Sequence, residues 1–288
     1  MTATPTPFPP PGQAGFGTRL HEAMLARGPL CAGIDPHPSL LEAWGLPDSV
    51  DGLTRFALTA AEVLAPRVAA VKPQSAFFER FGSRGIEVLE RVVRLCRDAG
   101  AVVILDVKRG DIGSTARAYG DAYLDATSPL AVDAITASPY LGFGSLEPML
   151  QVARAHDAGI FVLALTSNPE GPEVQHARTD AGPTVAGAVL AALAAANAGA
   201  QPMGSFGAVV GATIGGTDED LAVNGPLLVP GIGAQGGTAE DVRRIFGGVL
   251  DNVLPSSSRE ILGAGPDRSA LADAAARTAE GLASLLRA

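Results

Sequence analysis

The chain has 288 residues, 47% of them hydrophobic and 18% charged, and a formal net charge of −9 at neutral pH. That apolar content excludes a disordered polypeptide, and two cysteines and 35 glycines without a triplet period exclude a disulfide scaffold and a collagen. The acidic balance argues against nucleic acid and anionic membrane surfaces as partners, without excluding a local cationic pocket.

Residues 1–14 are Pro-rich, with neither a basic leader nor an apolar run, so they read as a flexible arm and not a secretory signal. Eight short apolar runs follow, at 30–35, 67–72, 101–108, 131–137, 159–165, 207–213, 227–231 and 249–255. Each is nearly continuous in apolar residues, as strands covered on both faces are. Amphipathic patterns at 52–65, 85–100, 112–126, 145–158, 184–198, 238–247 and 270–287 predict helices between and after them. Gly100 and Gly159, each just ahead of a strand, read as helix C-caps. The uncharged stretch 183–217 is broken by Asn197, Gln201 and Pro202. The apolar run ahead of Asn197, about a dozen residues, is too short for a membrane span, which needs about 20. Cys31 and Cys96 lie in apolar segments and predict reduced core thiols in a cytoplasmic protein.

Eight strands alternating with helices predict an α/β fold, a single (β/α)8 barrel over residues 15–288. A doubly wound sheet would open with a glycine fingerprint, whereas the first strand here runs into Asp35-Pro36-His37-Pro38. Barrel chemistry sits where the strands end. Those ends carry Asp35, Lys72 and the run Asp106-Val107-Lys108-Arg109-Gly110-Asp111. Positions i and i+2 of a strand share a face, so Asp106 and Lys108 are expected to point into the mouth together.

A strand-end ion-pair network would explain such a cluster without function. Composition weighs against it: the chain uses 19 Arg but only two Lys, Lys72 and Lys108. Arg serves a salt bridge as well as Lys does, yet it never surrenders a proton near neutrality. Two Lys kept at strand ends therefore suggest proton transfer or Schiff-base chemistry. After the seventh strand, Val229–Gly237 exposes backbone N–H groups ahead of a helix. After the eighth, Ser256, Ser258 and Arg259 add hydroxyls and a guanidinium, so the two loops predict a phosphate site. Thr166–Gly171 and Ser138–Gly144 are either turns or parts of the pocket. His21, His37, His156 and His176 lack metal-ligand spacing and read as surface residues.

The run ILDVKRGDIGST (104–115) resembles the signature of the orotidine 5′-phosphate decarboxylase family. VKPQSAFFERFG (71–82), ITASPYLGFGSLEPML (135–150), LTSNPEG (165–171) and VPGIGAQGG (229–237) resemble its longer bacterial subgroup. The resemblance implies cofactor-free and metal-free decarboxylation of orotidine 5′-monophosphate (OMP) to uridine 5′-monophosphate (UMP) in pyrimidine synthesis. It implies a homodimer with shared active sites. Lys72, Asp106, Lys108 and Asp111 would form a charged tetrad, with Asp111 reaching the neighbour's site and Lys108 protonating C6. Asp35 would contact the ribose, as would Thr115 from the partner subunit. Ser167 would read the pyrimidine, and Gln235, Arg259 and the backbone of Gly233 would hold the phosphate. The shorter family forms carry Gly-Arg-Ser after the last strand, whereas this chain has Ser258-Arg259-Glu260. The alternatives are a Mg²⁺-dependent sugar-phosphate aldolase or decarboxylase of the same superfamily, such as hexulose-phosphate synthase, and a non-catalytic phosphate-binding barrel. The first is expected to carry a metal-binding carboxylate where Lys72 stands.

Overall fold

The computed structural model describes residues 14–232 and 239–287. Nearly all of the predicted arm, residues 1–13, lies outside them, as do Gly233 and Gln235. Helix α1 (Phe16–Arg27) leads into β1 (Cys31–Ile34), then α2 (Pro38–Ala43), α3 (Val50–Leu64) and β2 (Ala70–Pro73). Next come α4 (Ala76–Glu79), α5 (Ser83–Asp98), β3 (Val102–Arg109), α6 (Gly113–Leu124) and β4 (Ala134–Ala137). A 3₁₀ turn precedes α7 (Glu147–Ala155), followed by β5 (Gly159–Leu165), α8 (Gly171–Gln175), α9 (Val185–Ala196) and β6 (Phe206–Val210). The chain closes with β7 (Leu227–Pro230), α10 (Ala239–Phe246), β8 (Val253–Ser257), α11 (Arg259–Leu262) and α12 (Arg268–Arg287). The strands pair in parallel and in sequence order into a closed barrel, β8 returning to β1.

Local chemistry sets these boundaries. Ser49 and Thr184 cap α3 and α9 by accepting the N–H of Gly52 and Gly187. Gly100 takes a left-handed φ of +76° after α5, as its predicted cap role requires. After α7, where Gly159 is the predicted cap, the left-handed residue is Asp157 (φ +52°). Gly159 instead opens β5, where a β-carbon would collide with the ring of Phe16.

Two apolar clusters result. One joins the outer faces of the strands to the helix ring. The other fills the barrel interior, with Phe161, Val209, Leu228 and Leu254 from strands and Phe16, Leu20 and Ala23 from α1. Phe16 meets Phe161 edge-on, ring centroids 5.8 Å apart. Arg19, buried on α1, donates to Asp133 at 2.9 Å, and Asp133 accepts the N–H of Val103 at 2.9 Å. Thus α1 is tied into the base of the barrel.

The eighth strand is displaced from its expected place. Residues 250–252 form a 3₁₀ turn, and β8 begins only at Val253, so Ser256 and Ser257 are buried strand residues and not loop residues. No helix of the described residues is long and apolar enough to cross a membrane, in keeping with α9 being a 12-residue helix of the outer ring. Both cysteines are buried free thiols.

Candidate active site

The strands deliver their polar residues to one cavity of about 520 Å³ at the C-terminal mouth. Its walls include Asp35 after β1, Lys72 from β2, Asp106 and Lys108 from β3, Thr136 from β4, and Ser167 after β5. Leu163, Val209 and Leu228 line its apolar part and join it to the interior cluster.

Asp106 is the centre of the charge array. Its Oδ2 accepts from Lys72 Nζ at 2.8 Å, and its Oδ1 accepts from Lys108 Nζ at 2.6 Å and from the Thr136 hydroxyl at 2.8 Å. Lys72 and Asp106 are both buried, at 7% exposure each, while the Lys108 side chain is half exposed to the cavity. Burial alone would raise the Asp106 pKa, but the ammonium groups of Lys72 and Lys108 outweigh it and hold the carboxyl well below its usual range. Burial would likewise lower Lys72, yet the carboxylates of Asp106 and Asp35 keep it above its ordinary value. The cluster is therefore ionised throughout its buried part. Cys31, also in β1, has its thiol pushed up to about 12 by burial and is a packing group, not a nucleophile.

Asp106 and Lys108 do share the mouth, but β3 is not the regular strand that the i, i+2 spacing implies. Leu105 pairs with Ile135 and Arg109 with Ala137, so Asp106, Val107 and Lys108 together stand opposite Thr136 alone. Lys108 takes φ +46° at this bulge, a left-handed conformation that costs a non-glycine residue about 1–3 kcal/mol. Its backbone N–H donates to Thr136 Oγ1 at 2.9 Å. Thr136 escaped the sequence reading; its only signal is a hydroxyl in the apolar strand Ala134–Ala137.

Two further cavity residues were missed. Gln175 pins the loop after β5, its Oε1 accepting the Thr166 N–H at 2.9 Å and its Nε2 donating to Thr166 Oγ1 at 2.6 Å. Thr166 Oγ1 in turn donates to Asn168 at 2.6 Å, so Thr166 and Asn168 form an ordered polar wall around Ser167, while residues 169–171 lie outside the lining. Gln74 forms an isolated bridge to Asp106 and also lines the cavity. By contrast Ser138–Gly144 contributes no lining residue and behaves as a turn.

Asp35 Oδ1 and Ser258 Oγ are buried without a hydrogen-bond partner among the described residues, and both residues line the cavity. Ser258 closes tightly on β1, where only a glycine at position 33 leaves it room. Arg259 is exposed at the start of α11 and does not line the cavity. Asp111 and Thr115 are also outside it; Asp111 is half-buried and accepts the Ile112 N–H at 2.8 Å, and Thr115 is exposed on α6. No group of three or more His, Cys, Asp or Glu side chains suited to a metal occurs among the described residues.

A family model described as "Orotidine 5'-phosphate decarboxylase / HUMPS family" matches residues 28–274. A Nocardioides sp. protein named orotidine 5′-phosphate decarboxylase is 69% identical over 250 residues, covering 86% of this chain and 91% of its own. One of the same name from Streptomyces coelicolor is 60% identical over 265 residues, covering 92% and 95%. The crystal structure of a Streptomyces avermitilis protein assigned the same activity superposes with a TM-score of 0.93 at 58% identity, covering 96% of this chain and 97% of that one. Leishmania donovani OMP decarboxylase superposes with a TM-score of 0.70 at 29% identity, covering 95% and 99%.

Proposed function

This chain belongs to the orotidine 5′-phosphate decarboxylase / HUMPS family and is a carboxy-lyase of pyrimidine synthesis converting OMP to UMP and carbon dioxide; on that premise we propose how its residues divide the work. The C6–carboxylate bond breaks, its electron pair stays on C6, and carbon dioxide leaves. The Lys108 ammonium stabilises that charge and then gives its proton to C6, regaining one from water. A vinylic carbanion has no π-system to spread its charge, so fixed electrostatics must do so. Asp106, kept ionised by two ammonium groups, places negative charge beside the substrate carboxylate and favours its departure. Lys72 holds Asp106.

The remaining assignments complete the pocket. Asp35 binds the ribose, supported by a buried oxygen with no partner among the described residues. Ser167 reads the pyrimidine from the pinned loop after β5. Gln235, Gly233 and Arg259 hold the phosphate, whose binding far from C6 contributes to the chemical step. Asp111 and Thr115 serve the neighbouring site of a homodimer. They lie outside their own cavity, and Ile112, next to Asp111 in the chain, is 62% exposed, an apolar side chain available to a second copy of the chain. The enzyme works in the cytoplasm.

The observation that carries this reading is the Lys72–Asp106–Lys108 array at the mouth. It also separates the two activities in the family name. A Mg²⁺-dependent sugar-phosphate enzyme needs a carboxylate where this chain sets a buried ammonium, and that cation would repel the metal. The test follows loss of orotate absorbance from OMP with EDTA present. Wild-type enzyme is expected to turn over, and Lys108→Ala to lose about 10⁴-fold or more while binding UMP within a few-fold of normal. Near-normal turnover by Lys108→Ala would refute the role given to Lys108, abolition by EDTA would favour the metal-dependent enzyme, and binding without turnover the non-catalytic barrel.

A further inference from the structure

The bulge in β3 leaves an accounting problem. Three residues stand against one, so the N–H of Lys108 has no regular ladder partner on β4, and a buried amide without a partner is costly. Thr136 supplies that partner from its side chain. The proton directions are fixed by chemistry: the Lys108 amide can only donate and the ionised Asp106 carboxylate can only accept. The Thr136 hydroxyl therefore accepts from the Lys108 N–H at 2.9 Å and donates a hydrogen bond to Asp106 Oδ1 at 2.8 Å. That same Oδ1 accepts from Lys108 Nζ at 2.6 Å. One hydroxyl thus joins the backbone of Lys108 to the carboxylate that receives its side chain. Thr136 is 1% exposed, and β-branching restricts its rotamer, so the link is rigid.

We infer that Thr136 is a positioning residue for decarboxylation, holding Lys108 in its left-handed backbone conformation and Asp106 in the orientation that aims the Lys108 ammonium at the substrate. The inference rests on the proton-donor role proposed for Lys108. Without the hydroxyl, the Lys108 amide loses its acceptor and the strained backbone is free to relax, displacing Nζ.

Thr136→Val keeps the shape and removes the hydroxyl, Thr136→Ala removes it without filling the space, and Thr136→Ser keeps it. A displacement of about 1 Å at a reacting group costs about 100-fold. Thr136→Val is therefore expected to lower kcat about 100-fold, with KM for OMP and Kd for UMP within about threefold of wild type. Thr136→Ser should stay within about fivefold in kcat. If Thr136→Val does not fold, Thr136→Ala must show the same split. The inference is overturned if the folded Val or Ala variant keeps kcat within about threefold, if the loss falls on KM, or if Ser is as impaired as Val. Lys108→Ala, assayed alongside, separates the two levels. An active Lys108→Ala variant defeats the underlying reading, whereas an inactive one beside a fully active Thr136→Val defeats only this inference.

Discussion

Replacing Lys72 by Met measures what the buried charge array contributes to stability. Met fills similar volume without the ammonium, so Asp106 Oδ2 loses the donor at 2.8 Å while Oδ1 keeps Lys108 and Thr136. Removing one partner of a buried pair commonly costs about 3–5 kcal/mol, because the other charge is left uncompensated. Here Lys108 remains 2.6 Å from the carboxylate, with its own side chain half exposed, which brings the expected cost below that range, to about 2–3 kcal/mol. For a chain of this size that corresponds to a fall in Tm of about 3–5 °C. Asp106→Asn should destabilise too, by leaving Lys72 buried beside a neutral amide. The double variant Lys72→Met/Asp106→Asn buries neither charge, so its loss should fall short of the sum of the singles by about 2 kcal/mol. Urea unfolding at neutral pH and fixed protein concentration checks all three. A Lys72→Met midpoint equal to wild type, or additive losses in the double variant, would refute the claim that these charges stabilise one another.

Three further outcomes follow from the same geometry. Lys108→Arg should be nearly inactive, since a guanidinium holds charge but gives up no proton, whereas Lys72→Arg should retain more activity; steady-state kcat for the pair checks the order. Mixed Lys108→Ala and Asp111→Ala chains should recover activity through the one site in four chains' worth of pairings that has both groups, and failure after verified subunit exchange would exclude a shared site. Stability should also follow pH in a defined way. Asp106 is held below its unfolded pKa of about 3.9, so its contribution is complete above that value and lost as pH falls through the lower folded value. Lys72 is held above its unfolded pKa of about 10.4, so its contribution is complete below that value and lost as pH rises through the higher folded one. The stability gap between wild type and Lys72→Met should therefore be widest from about pH 5 to 9 and narrow below about pH 4, and unfolding curves showing a gap constant into acid would contradict it.

The eight strands were legible because burial on both faces writes a continuous apolar run into each, and the site was legible because its charges interrupt those runs at their ends. Lys72, Asp106 and Lys108 needed only that argument. Other features depend on partners far along the chain. The bulge in β3 is a mismatch of register with β4, and neither strand reveals it alone. Thr136 gains its place only through that mismatch. Helix α1 escaped notice because its buried side carries Arg19, a residue whose satisfaction depends on Asp133, 114 positions later. Gln175 lies nine residues beyond Thr166, the residue it pins, and no local spacing marks it. At β8 the sequence misled by placing the strand early, since Leu250 and Val253 look equally strand-like while only the latter pairs with β7.

Helix α1 carries a consequence for how this protein tolerates change. Its Phe16 and Leu20 belong to the apolar column that fills the barrel, and the chemistry occupies the other end of that column. The costs incurred at the mouth, a left-handed lysine and two buried charges, are thus met by packing at a separate place. Phe16 and Leu20 line no part of the cavity, and changes at well-separated places usually add independently. The base is a reserve on which stability can be gained or spent while the catalytic geometry stays fixed. An altered mouth, reshaped for another nucleotide, can be compensated there without retracing any step at the site itself.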